Sequence, residues 1–177
     1  MSLKPTDPLL AAGKIMTVLL MAIIALVTLL LIGIIPAILF NQADFGAQIV
    51  EAGGDSVGTA MAATIALLLI AATVTAAAFR FFQLLGRIID TVSANDPFTT
   101  ENSGRLTRMG WIALAFQIAT FPIAALVAYL ANLLPAEELT LDFEFSLTGV
   151  LLAVVLFILA RVFKHGAAMR EDLEGTV

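Results

Sequence analysis

The chain has 177 residues, 60% of them hydrophobic and 13% charged, with a mean hydropathy of +1.03. A soluble domain is about 45–50% apolar and about 25% charged, so a water-soluble fold is excluded and an all-α integral membrane protein is predicted. The net charge of −5 is not spread evenly, there is no cysteine for a disulfide or thiolate site, and a lone His165 cannot build a bis-histidine haem site or a zinc triad.

Four membrane spans are predicted, at about residues 16–40, 57–79, 111–134 and 147–163. A span must satisfy every backbone group internally, which makes each of them a helix. At 1.5 Å per residue each covers about 30 Å of hydrocarbon, the fourth only marginally. The first is too long for the 7–15-residue apolar core of a signal peptide and reads as an anchor. It contains Gly33 and Pro36, ordinary residues in a membrane helix.

The segment 41–56 carries Asp44, Glu51 and Asp55 and no base. It reads as a short acidic outer loop. The second span is rich in small residues, and Ala62, Ala66, Thr73, Ala76 and Ala77 are expected to form its packing seam, or a face for a homo-oligomer. Beyond Arg80, the residues Phe81, Leu84, Leu85, Ile88, Ile89 and Val92 recur every three or four positions, so the helix is expected to continue to Val92. It would then be about 54 Å long, some 20 Å more than the hydrocarbon needs.

Asn95-Asp96-Pro97 predicts a turn, because proline lacks an amide donor and disfavours helix in the residue before it. Thr99 is placed to cap the next helix, with Glu101 favourable in its first turn. Leu106, Met109, Gly110 and Ala113 carry an apolar stripe into the third span. Residues 80–110 thus form a helical hairpin. Phe98 at its tip either folds back on Ile89, Val92 or Leu106 or serves as a docking knob. The hairpin mixes Arg87, Arg105 and Arg108 with Asp90, Asp96 and Glu101, which argues against direct nucleic-acid binding.

In the third span Gln117, Thr120 and Pro122 are the polar or helix-perturbing residues from which a pocket between the helices could be built. After it, Leu139, Leu141, Phe143, Phe145 and Leu147 alternate with polar residues, a period-two pattern that predicts a small β element. A lone strand needs a partner, and the stretch around Ala47-Gln48-Ile49-Val50 could supply one. Beyond Arg161, the residues Val162, Gly166, Met169 and Leu173 continue the fourth helix as an amphipathic exit.

All nine Lys and Arg residues fall on one side of this four-span arrangement, and the segments 41–56 and 135–146 contain only acids. The excess of bases on cytoplasmic segments therefore predicts both termini and the hairpin inside. No Asp, Glu, Lys or Arg lies deep in a span, which argues against an ion-driven transporter. Nothing in the spans supplies a catalytic constellation, a metal site or a cofactor site. The expectation is a non-catalytic multi-pass protein that acts as a regulatory or accessory partner. Its interaction surface would be built on Asp96, Pro97, Phe98, Asn102 and Arg105; a lipid or small-molecule transporter or sensor with the Gln117, Thr120, Pro122 pocket is the alternative. Membrane lipids and a protein partner (a cytoplasmic regulator or a larger membrane complex) are the expected contacts.

The stretches NDPFTTENSGRLTRMGW and ARVFKHGAAMREDLEGTV, in a chain of four spans, resemble the bacterial integral membrane family known as domain of unknown function 2975. The likeness is most specific at Pro97-Phe98, Asn102 with Arg105-Leu106, Gly110-Trp111, and Val162-Phe163 with Gly166. Members of that family end in a longer acidic-hydrophobic tail, which the sequence DLEGTV follows only loosely. The resemblance implies a bacterial inner membrane and no assigned chemistry. Relatives encoded beside small helix-turn-helix regulators would make the partner a regulator.

Overall fold

The computed structural model describes residues 8–51, 56–133 and 146–174, and all its regular elements are helices. They are α1 (Pro8–Phe40), α2 (Gln42–Glu51), α3 (Val57–Ser93), α4 (Thr100–Leu133) and α5 (Leu147–Glu174). Proline is tolerated at the first position of a helix, where its missing amide would have no partner, and Pro8 opens α1 eight residues before the predicted span. Pro36 and Pro122 lie inside α1 and α4 without ending them.

Helix α3 is one piece from Val57 to Ser93, as the apolar period requires. Its end is a Schellman motif. Asn95 adopts a left-handed φ of 57°, its amide donates to the Val92 carbonyl at 3.1 Å, and the Asp96 amide donates to the Thr91 carbonyl at 3.0 Å. Pro97 then prevents continuation. The Thr99 hydroxyl accepts from the Asn102 amide at 3.2 Å, the N-cap expected of it.

Helix α2 corrects the reading of residues 41–56 as an outer loop that could lend a strand. Phe45, Gly46 and Ile49 fall at helical spacing, Gly46 and Ile49 are buried, and Asp44 stands in the first turn, where the helix dipole favours an acid. The predicted alternation at 139–147 lies outside the described residues, except that Leu147 already begins α5.

The chain divides into two compact units. The first takes α1 up to Ile24, α3 from Ala77, α4 up to Ala115, and all of α5. Its core is Leu84 and Ile88 of α3, Leu106, Met109 and Ala113 of α4, and Ala153, Leu156 and Ala160 of α5. Phe81, Leu85 and Val92 pack around it, so the stripe beyond Arg80 is a packing face. Small residues bring α1 against α3: a Cβ added to Gly13 would sit 3.6 Å from Ile89, and one added to Gly86 would sit 3.5 Å from Thr17. The Ser103 hydroxyl donates to the Ala160 carbonyl at 2.9 Å, fixing the register of α4 on α5.

The second unit contains the rest of α1, α3 and α4 together with α2. Ile38, Ile49, Ala60, Ala63, Ala72, Val127 and Leu130 are its buried apolar residues. The seam on α3 is thus Ala60, Ala63 and Ala72, whereas Ala62, Thr73 and Ala76 are exposed. The expected seam is rotated because an apolar helix has no polar face to set its phase. Here a hydrogen bond from the Thr28 hydroxyl to that of Thr75, at 2.9 Å, links α1 to α3.

Gly110 is where α4 and α5 come closest to exclusion: a Cβ there would lie 2.8 Å from the ring of Phe157. Gly110→Leu should lower the thermal unfolding midpoint in detergent, by the 1–3 kcal/mol typical of overpacking. Gly104→Ala, at an exposed helical glycine with nothing within 4 Å, should raise it by about 0.5–1 kcal/mol.

Candidate functional site

The polar side chains singled out in the sequence converge at the α3–α4 turn of the first unit. Asn102, on the first turns of α4, is 0% exposed. Its amide nitrogen donates to the Thr91 hydroxyl at 2.7 Å and to the Pro97 carbonyl at 2.8 Å, while its amide oxygen accepts from Arg105 at 2.6 Å. Both donors are therefore used. Arg105 also points at the Arg87 carbonyl, 3.4 Å away. Helix α3, the turn and α4 are tied together through this one amide.

A second fastening joins the turn to α5. Asp96 forms an ion pair with Arg170. Phe98 lies over Gly166, where a Cβ would be 2.7 Å from its ring, and its ring centroid is 5.2 Å from that of Phe163. The contact leaves Phe98 44% exposed, so the residue fastens the turn and still shows a face.

Of the five residues expected to meet a partner, Asp96, Pro97, Phe98 and Arg105 are exposed or half-buried. Asn102 reaches no surface, and its part is to hold the others in place. Arg170, Phe163 and Gly166 complete the arrangement. Glycine inside a helix costs about 1 kcal/mol against alanine, and that cost at Gly166 was the signal that something lies against it.

The bases of this unit gather at one level. Lys14 pairs with Asp90, Arg105 reaches the carbonyl of Arg87, and Ser103 seats on Ala160 beside Arg161. Arg80 lies seven residues along α3 from Arg87, about 10 Å, and its guanidinium turns toward that level to donate to Gln83. Trp111 lies one and a half turns from Arg105, exposed, with its ring edge-on to Phe157 at 5.4 Å.

In the second unit Gln117 and Thr120 are half-buried and Pro122 is exposed. The Thr120 hydroxyl donates to the Phe116 carbonyl at 3.1 Å, within its own helix. The three residues do not share one buried wall.

Four helices, α1, α3, α4 and α5, are long and apolar enough to cross a membrane, and none of the most apolar 18-residue window of α1 is buried. So continuous an apolar surface is untenable in water; the fold is that of a multi-pass membrane protein. A family described as Protein of unknown function (DUF2975) matches residues 59–177, two thirds of the chain, and the chain belongs to it. No curated protein and no solved structure matches.

Asn102→Leu removes the amide and leaves the Pro97 carbonyl and Arg105 without their partner. It should cost about 1–3 kcal/mol and speed proteolysis within residues 94–99. Arg170→Ala breaks the half-exposed pair with Asp96, whose loss should cost less than about 1 kcal/mol. Thermal unfolding and limited proteolysis in detergent check both.

Proposed function

We propose that the chain is a non-catalytic protein of the bacterial inner membrane, with both termini and the α3–α4 turn in the cytoplasm, and that it regulates or assists a protein partner. The observation that carries this is the double fastening of the turn: Asn102 secures it to α3 and α4, and Asp96 and Phe98 secure it to α5. A surface ordered before binding loses less entropy on binding. Around the fastened turn, Asn95, Phe98, Thr100 and Glu101 are exposed.

The inside orientation rests on the distribution of bases. The level shared by Lys14, Arg87, Arg105 and Arg161 suits the inner headgroups, with Trp111 just within them. That placement shortens the cytoplasmic part of the hairpin expected at 80–110: Arg80 then lies inside the headgroup level and reaches back to it. The rival reading, a transporter or sensor using Gln117, Thr120 and Pro122, has less support, since Thr120 is engaged within its helix and Pro122 faces outward.

The absence of cysteine permits a direct test of orientation. In intact cells a membrane-impermeant maleimide should label Asp44→Cys and not Asn95→Cys; the opposite pattern refutes the inside placement of the turn. For the partner, extraction in mild detergent followed by affinity capture and mass spectrometry should recover a protein with the wild type. Asp96→Ala with Phe98→Ala should lose it, as should Thr100→Arg, which alters the exposed face without touching the fastening. No co-purifying protein, or the same set from all three, removes the regulatory reading.

A further inference from the structure

We infer that a groove on α5 beside Phe98 holds an anionic phospholipid of the inner leaflet. The groove has a volume of about 910 Å³. Its apolar wall is Phe98, Ile158, Val162 and Met169, and its polar members are Arg161, Lys164 and His165. No acid lines it. Among the described residues Arg161 and Lys164, like Arg87 and Arg108, have a side chain with neither an ion pair nor a hydrogen bond, but only Arg161 and Lys164 line this groove.

The geometry of the helix selects the occupant. Leu151, Val155, Ile158, Val162, His165 and Met169 follow one another at alternating steps of four and three, a single stripe along α5. All six are exposed, because α5 packs through the other side, with Ala153, Leu156, Ala160 and Ala167. The exit stripe predicted from Val162 and Met169 thus faces outward. On a membrane-spanning helix the upper part of this stripe meets acyl chains. It runs without interruption into the groove, where the cations begin at Arg161, next in sequence to the Ala160 carbonyl that Ser103 holds.

One molecule answers both halves: acyl chains on Leu151, Val155 and Ile158, and a phosphate within reach of Arg161, Lys164 and His165. Free guanidinium and ammonium donors suit phosphate oxygens. A net negative headgroup satisfies two unpaired cations where a zwitterionic one brings its own positive charge. Glu171 and Asp172 stand about 10 Å further along α5 than Lys164 and His165, which leaves the cationic stretch clear of them. Phe98, seated over Gly166, lines the groove and ties its shape to the turn. The site is independent of the proposed regulatory role, since a lipid can be held there whether or not a protein docks at residues 94–101.

The test uses the purified full chain in mild detergent with equimolar phosphatidylglycerol and phosphatidylcholine of the same acyl composition, read by native mass spectrometry. Wild type should retain phosphatidylglycerol about thirtyfold over phosphatidylcholine, as two surface cations would give. Arg161→Gln with Lys164→Gln should reduce that preference to near unity. Arg161→Lys with Lys164→Arg, and separately Arg80→Gln, should keep it. Glycerol 3-phosphate should not displace the lipid. Equal retention of the two lipids by wild type overturns the proposal, and this arm stands even if the glutamine variant does not fold. An unchanged preference in a folded glutamine variant, or displacement by glycerol 3-phosphate, overturns it as well.

Discussion

The buried amide of Asn102 is the point on which the first unit depends. In lipid, apolar surface gains little by leaving its surroundings, so helices associate through close packing and a few interhelical polar contacts. Such contacts decide register only where a wrong alignment leaves a group unsatisfied. Asn102 creates that condition: slide α4 one turn against α3 and its amide loses Thr91, the turn carbonyl of Pro97 and the alignment of Arg105 at once. The apolar stripes of Leu84, Ile88, Leu106 and Met109 would tolerate the slide far better.

Given that register, the glycines explain how α5 can join. Gly110 admits the ring of Phe157 to α4, and Gly166 admits the ring of Phe98 to α5. Ser103 supplies the polar contact between them. Each device alone is weak: a helical glycine costs about 1 kcal/mol and an interhelical hydrogen bond in lipid contributes about 0.6 kcal/mol. Their value lies in placing side chains, since an added methyl at either glycine would collide with an aromatic ring. The contacts that make the turn rigid are therefore the same ones that set the outward stripe of α5.

What could be read from the sequence follows the same physics. The helix ends were legible, because Asn95, Pro97 and Thr99 act on the backbone locally and need no knowledge of the fold. The stripe from Phe81 to Val92 was legible too, since charged residues such as Arg87 and Asp90 give that stretch a polar side from which to judge the other. Within the spans nothing plays that part. The seam on α3 came out rotated, from Ala62 and Thr73 to Ala63 and Ala72, because small and large apolar residues are equally at home in lipid. That Phe98 also meets α5 was not legible, for a different reason. Phe163 and Gly166 are more than sixty residues away, and only the register set by Ser103 and Ala160 brings them there. Helix α2 was hidden by its glycine and its acids, although Gly46 and Ile49 bury at helical spacing.

Polar residues are scarce in this chain, and what distinguishes them is whether they are engaged. Asn102, Ser103, Thr91 and Arg105 spend their hydrogen bonds on one another or on backbone, and the unit holds no buried side-chain nitrogen or oxygen without a partner among the described residues. Their chemistry is used up in holding the structure. Lys14 and Arg170 each stand in a partly exposed ion pair that contributes little stability. Arg161 and Lys164 are different, since they stand at the end of an apolar stripe with no carboxylate among the described residues lining their groove. In the proposed placement at the edge of a bilayer, such a charge, with no partner among the described residues, has water or a lipid headgroup to turn to. The apolar floor of Ile158 and Val162 makes water the poorer of the two.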